Sequence, residues 1–478
     1  MKTFANYIDG SWEPEQETQP DINPSDLDDV IGLFPRSSAA TTRAAIEAAR
    51  DAAPSWAQTS PQARADILRS AARELAARAP ELGALLAREE GKSLREAVAE
   101  ATRAAQLLDF FSGEALRMTG ENVASTRPGV FVDILREPVG VVGVITPWNF
   151  PLAIPAWKIA PALAYGNTVV FKPADLVPAS AHALVECLVN AGLPRGVLNL
   201  VVGPGSVVGE TIVQSTDVDA ITFTGSTGIG TGVAERAASR LAKVQLEMGG
   251  KNPLVVLADA DLDVAVECAV QGAFFSTGQR CTASSRLIVE HAVEDQFVAA
   301  VRARLEGLTV DDARLSTTDI GPVVDDKQLE IDTSYIQQAR DEPGSVVFGG
   351  ELVKRRTRGH YLQPALVTGL GRDHAVNRDE IFGPVASVVG VSDFEEAVAV
   401  ANDTQFGLVA GICTTSLRHA QHFRTAAKAG MVMVNLPTAG VDVHVPFGGS
   451  KGSSYGPKEQ GSHAREFFTT TKTVYTNP

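Results

Sequence analysis

The chain is poor in cysteine. Four cysteines in 478 residues, with no C-x-x-C pair, make no disulfide framework. No apolar run approaches the roughly 18 residues that a membrane helix needs. The opening MKTFANYIDGSWEPEQ lacks the apolar stretch of a signal peptide. A reducing, cytoplasmic setting is the expectation. Positive charge is also in short supply: 42 Lys plus Arg stand against 57 Asp plus Glu, a formal net charge of -15. Such a surface repels nucleic acid and anionic membranes, so neither is expected as a partner. Internal repeats and low-complexity segments are missing too.

What is present is ordinary for a globular protein: 44% hydrophobic and 21% charged residues. The length suits about three domains. Residues 39–118 carry apolar side chains three and four apart and predict helices. From 122 to 146 β-branched residues predict extended strands, with a hairpin possible. From 156 to 435 strand and helix patterns alternate, which points to βαβ units and a parallel sheet. SAHALVECLVNAG reads as a helix with a serine start. The last 20 or so residues, including REFFTTTKTVYT, read as strand and could pair with another subunit's sheet edge.

Three cysteines sit in apolar runs and read as packing: Cys187, Cys268 and Cys413. Cys281, in FFSTGQRCTASS, has polar neighbours and leaves packing and chemistry both open. GSTGIG, Gly225 to Gly230, follows a strand and opens a helix, where backbone N–H groups can hold a phosphate. Its spacing does not fit G-x-G-x-x-G. KPAD ends a strand, so Lys172 and Asp175 could meet ribose hydroxyls or a 2′-phosphate, or form a solvated turn. Glu247, in LEMGG, is a carboxylate in apolar surroundings, either paired or kept for proton transfer. PWNFP holds Asn149 rigidly, as an oxyanion donor or a tight turn.

Other matches fail. Gly448 to Gly452 fits G-x-S-x-G but lacks the strand before and the helix after. DADLD, residues 259–263, lacks the later ligands of a calcium loop and reads as a helix start. His419 and His422 share a helix face with no third ligand nearby, so a solvated helix is expected and no metal site.

Together ITPWNFP, FKPAD, FTGSTGIG, LEMGGKNP, FFSTGQRCTA, DEIFGP and PFGGSK appear in an order that resembles the aldehyde dehydrogenase superfamily over essentially the whole chain. The resemblance implies an α/β fold of three parts. A Rossmann-like cofactor domain would take 1–121 and 141–247, an α/β catalytic domain 248–450, and a small β oligomerisation arm 122–140 and 451–478. It implies Cys281 as nucleophile, Glu247 as general base, and Asn149 with the Cys281 N–H as oxyanion hole. Thr146, Trp148, Asn149, Lys172, Asp175, Gly205, Gly225, Ser226, Met248, Glu380 and Phe382 would contact NADP or NAD, and Trp157, Arg280 and Phe447 the aldehyde. A modest local shift is expected to give enough Cys281 thiolate at neutral pH. A homodimer or homotetramer is implied.

Within the family the closer resemblance is to α-ketoglutarate semialdehyde (2,5-dioxopentanoate) dehydrogenases. Phrases such as VNLPTAGVDVHVPFGG carry it. Arg280 would then pair with a substrate carboxylate, or face outward. Trp157 stands where succinate semialdehyde dehydrogenases usually have arginine, and could instead line an aromatic-aldehyde pocket. The family's K-x-S-G-x-G-R-E is replaced by KGSSYGPKE. Asp175, shorter than the glutamate common in NAD users, favours NADP with NAD possible.

Overall fold

In the computed structural model, which describes residues 2–478, two large sheets, a three-stranded sheet and a two-stranded ribbon of Thr18–Ile22 with Val30–Pro35 organise the chain. Five parallel strands form the middle of the first: Val141–Ile145, Thr168–Lys172, Leu198–Leu200, Ala220–Thr224 and Lys243–Glu247. All but the last are buried along their whole length. They read as continuous apolar runs because helices cover both faces of a parallel sheet. The first strand lies between the second and the fourth, so the order reverses beside it.

The second large sheet holds seven strands. Pro253–Val256 pairs in parallel with Arg286–Glu290 on one side and Val409–Cys413 on the other. Val346–Gly349 is its only antiparallel member. Cys187, Cys268 and Cys413 are buried in the cores, as their apolar settings suggested.

The third sheet has three strands: Glu121–Ala124, Phe131–Pro138 and Thr469–Thr476. Here several local expectations need correction. The 122–146 region does form a hairpin, but from 121–124 with 131–138. Val141–Ile145 leaves for the first large sheet. Gly140, at φ +123°, makes that turn, and a Cβ there would meet Asp219 Oδ2 at 2.1 Å. Arg465–Phe468 is a helical turn rather than strand, while Thr469–Thr476 is a strand that pairs with Phe131–Pro138 and keeps its other edge open. Residues 451–468 do not join the arm, because Ser454–Tyr455 pairs antiparallel with Leu246–Glu247 at the edge of the first large sheet.

The helix Pro178–Asn190 starts at a proline, not at a serine cap. A distant carboxylate does the capping: Glu89 accepts from the N–H groups of Ala179 and Ser180. Asp261 caps the helix Leu262–Phe274 in the way DADLD suggested. His419 and His422 lean on the Phe394 ring, 4.5 and 5.2 Å between centroids.

Candidate active site

Open α/β sheets bind ligands beyond the C-terminal ends of their strands, where strand order reverses. Thr146, Lys172, Gly225 and Met248 each stand at or next after such an end in the first sheet. Ser226 precedes the helix Thr227–Ser239, whose first N–H groups are free to meet an anion. The buried hydroxyls of Thr146 and Thr224 have no hydrogen-bond partner, although they end adjacent strands at the reversal. Lys172 Nζ donates to Asp175 Oδ1 at 2.8 Å and to the Pro173 carbonyl, which leaves one donor over. Gly205 is exposed, with no atom within 4 Å of a Cβ built there. These groups fit a dinucleotide: hydroxyl and lysine donors for ribose, a helix start for phosphate.

Trp148 and Phe382 meet edge to face, 5.3 Å between centroids. Phe382 holds φ +66°, a left-handed backbone that costs energy for a bulky residue. Next to it Glu380 turns inward: its Oε1 accepts from the Gly250 N–H at 2.8 Å. Burial pushes its carboxyl up to about 7.

Cys281 reaches the site through a tight loop. Ser276, Thr277 and Gly278 take positive φ in succession (50°, 56° and 67°). At Gly278 a Cβ would strike the Gly383 carbonyl oxygen at 2.1 Å. Asn252 Nδ2 then holds the carbonyls of Cys281 and Ala283, at 2.7 and 3.0 Å. The sulfur's residue lines a cavity of about 330 Å³ together with Phe150, Trp157, Arg280 and Phe447. It is partly exposed to that cavity, yet protein surrounds the cavity deeply. Burial, followed by the negative charges of Glu380 and Glu247, pushes the thiol well above its ordinary range. The modest shift toward thiolate that was expected is not found: the surroundings favour the thiol.

Asn149 Nδ2 donates to the Gln279 carbonyl at 2.9 Å, which fixes the amide and leaves its second N–H available. Glu247 ends its strand buried. Ser454 Oγ donates to its Oε2 at 2.6 Å. Burial raises the Glu247 carboxyl well above its ordinary value, and the charge of Glu459 adds to this. Glu459 is itself paired with the buried Lys158. Thus KGSSYGPKE, which departs from the family pattern, folds back to seat Glu247. Ser454 and Glu459 were missed as site residues. Their one signal was polar and charged side chains in a glycine-interrupted run.

Trp157 and Phe447 face one another in the cavity wall, 5.4 Å between centroids. Arg280 also lines it, but its guanidinium is engaged: it donates to Glu96 Oε1 at 2.5 Å and to Ser276 Oγ at 2.8 Å. The substrate carboxylate expected at Arg280 thus meets a resident competitor. Lys92, Glu96, Glu100 and Arg103 complete the polar wall. All four escaped the sequence reading, because helical periodicity shows that a face is polar but not what it faces.

A partly exposed thiol on a cavity wall, with a dinucleotide-type crevice at the sheet reversal, defines a two-sheet α/β oxidoreductase. The chain belongs to the aldehyde dehydrogenase family: the model described as "Aldehyde dehydrogenase family" matches residues 12–474. It is 41% identical to the alpha-ketoglutaric semialdehyde dehydrogenase of Bacillus subtilis, covering 100% of this chain and 99% of that one. It is 39% identical to the 2,5-dioxopentanoate dehydrogenase of Saccharolobus solfataricus, covering 99% of each. Among solved structures, betaine aldehyde dehydrogenase from Staphylococcus aureus in complex with NAD+ superposes with TM-score 0.96 at 32% identity, covering 99% and 94%. An NADP dependent enzyme of E. coli gives 0.96 at 34%, covering 99% and 98%.

Proposed function

We infer that this protein oxidises α-ketoglutarate semialdehyde to α-ketoglutarate, with NAD or NADP accepting the hydride. The observation that carries the chemistry is the Cys281 thiol on the wall of the cavity, set there by the loop that Asn252 holds. Whole-length similarity to enzymes named for this substrate supports the substrate.

Cys281 passes its proton to solvent water, and its sulfur adds to the aldehyde carbon as the C=O π electrons move to oxygen. Charge grows on the former carbonyl oxygen, where the free Asn149 N–H and the Cys281 N–H can donate; one such donor is typically worth about 10²–10³-fold in rate. The two-electron oxidant is the chemistry a bound nicotinamide dinucleotide supplies, held by Thr146, Lys172, Ser226 and their neighbours. A thioester on Cys281 results. Glu247 then takes a proton from water, whose oxygen attacks the thioester carbon and releases the acid and the thiol. Over the cycle the aldehyde loses hydride and gains one oxygen from water. Burial raises the Glu247 carboxyl above its ordinary value, so it holds a proton more readily than a free glutamate.

An aldehyde panel with both cofactors, read at the absorbance of reduced nicotinamide, tests the assignment. α-Ketoglutarate semialdehyde should give the highest kcat/KM; a clear preference for benzaldehyde would move the reading to the aromatic pair Trp157 and Phe447. NADP is expected to be preferred over NAD, because Lys172 keeps a spare donor beside the short Asp175. Equal kcat/KM for the two cofactors would remove that preference. The three-stranded sheet exposes Phe131, Leu135 and Tyr475 and leaves Thr469–Thr476 an open edge, which supports a homodimer or homotetramer through this arm. Sedimentation as a monomer at micromolar concentration would contradict it.

A further inference from the structure

We propose that Arg103 receives the remote carboxylate of the substrate, while the aldehyde end lies at Cys281. This rests on the substrate class inferred above. Three cationic side chains line the cavity. Two are already matched. Arg280 is held by Glu96, both side chains 14% exposed. Lys92 is held by Glu100 at 2.6 Å and by the Asn149 carbonyl at 2.7 Å. Arg103, on the helix Leu94–Glu114, is different: among the described residues no carboxylate oxygen lies within 4.0 Å of it. Its one hydrogen bond goes to the Gln460 side-chain oxygen, at 3.2 Å.

Burial lowers the Arg103 guanidinium's affinity for its proton. The acids that act on it from a distance are Asp442, which is exposed, and Glu100, which is already bound by Lys92. Gln460 is fully buried, and its Nε2 has no hydrogen-bond partner. A partly desolvated guanidinium on the cavity wall, with four unused N–H donors and no carboxylate of its own, is a site that an incoming carboxylate completes. Phe150, Ile154, Trp157 and Phe447 form an apolar part of the wall that suits the methylene chain between the two ends.

Two aldehydes of the same length test this: 5-oxopentanoate, with a carboxylate, and pentanal, without one. The wild type is expected to favour 5-oxopentanoate, and Arg103→Met to lower that preference ratio by about 100-fold, chiefly through KM. Arg103→Lys should recover part of it. Glutarate, which has no aldehyde, should inhibit the wild type competitively and the methionine variant far less. An unchanged ratio in Arg103→Met, or equal losses on both aldehydes, overturns the assignment. If Arg103→Met does not fold, an unaltered ratio and unaltered glutarate inhibition in Arg103→Lys overturn it instead. The two readings fail separately. Poor turnover of α-ketoglutarate semialdehyde with a strong 5-oxopentanoate preference that collapses in the variant removes the substrate reading and keeps Arg103. A strong α-ketoglutarate semialdehyde preference that survives the variant does the reverse.

Discussion

The cavity wall in front of Cys281 and the crevice behind it both carry buried acids, but in opposite electrostatic states. In front, Glu96 and Glu100 each hold a cation, Arg280 and Lys92, in close ion pairs. Neither of these two acids is left free to oppose charge on the sulfur, and Arg103 is the one cation over. Behind, Glu247 and Glu380 accept only hydrogen bonds, from Ser454 and from the Gly250 N–H. Burial raises both carboxyls, and both appear among the charges that hold the Cys281 thiol up. One set of carboxylates is spent on architecture. The other is left poised to exchange protons, which is what catalysis at neutral pH requires.

The comparison breaks most visibly at the sulfur itself. Cys281→Ser should lower aldehyde oxidation by at least about 10⁴-fold, since a serine hydroxyl in a pocket that disfavours anions is a far weaker nucleophile. Reduced-cofactor fluorescence should show binding intact. Turnover within tenfold of wild type would end the nucleophile assignment. Glu247→Gln comes next. Steady turnover should fall by about 10²–10⁴-fold, with a first burst of reduced nicotinamide followed by a stall. A missing burst would place Glu247 before thioester formation, and undiminished turnover would take it out of the chemistry.

The ion pairs of the front wall should show first in stability. Glu100→Gln leaves the Lys92 ammonium, 1% exposed, with only the more distant Glu90 carboxylate at 3.9 Å, and weakens the acceptor for the Leu152 and Ala153 N–H groups. Breaking such a pair from one side typically costs about 3–5 kcal/mol. Urea unfolding should show the loss as a lower midpoint with an unchanged slope. Since Lys92 also binds the carbonyl of Asn149, activity should fall with it. A variant as stable as wild type would mean that the front wall is not held by its ion pairs.

The back wall was far more legible in the sequence than the front. Cys281, Glu247 and Asn149 sit in short stretches whose neighbours announce them: a polar loop, a glycine pair after a strand, a proline bracket. The alternation of strand and helix likewise gave the parallel sheet, because strands buried on both faces are apolar throughout. Glu96, Glu100 and Arg103 lie on an ordinary amphipathic helix. Their partners stand far off in sequence, at 276–280, 152–153 and 460, and no local pattern encodes them. Glu89 shows the same limit, since it caps a helix 90 residues away. The direction of the Cys281 shift was misjudged for a related reason: the charges that set it arrive from Glu380 and Glu247, which only the fold brings near.

The smallest and most specific effect concerns those two carboxylates. A thiol held above its ordinary range reacts with iodoacetamide only as its thiolate forms, so alkylation of Cys281 in the cofactor-free protein should keep rising through the alkaline range. Glu380 titrates near 7. Below that pH it is neutral and does not oppose the thiolate; above it, the negative charge does. Removing the charge therefore lowers the thiol's hold on its proton, and the Glu380→Gln profile should move to lower pH. The gain in rate should be several-fold above pH 8 and should shrink below pH 7. Glu247→Gln should move the profile the same way, while Glu96→Gln, whose charge Arg280 already cancels, should leave it nearly in place. A shift of equal size in all three variants would mean that front and back act on the sulfur alike, and the division between quiet and poised carboxylates would be lost.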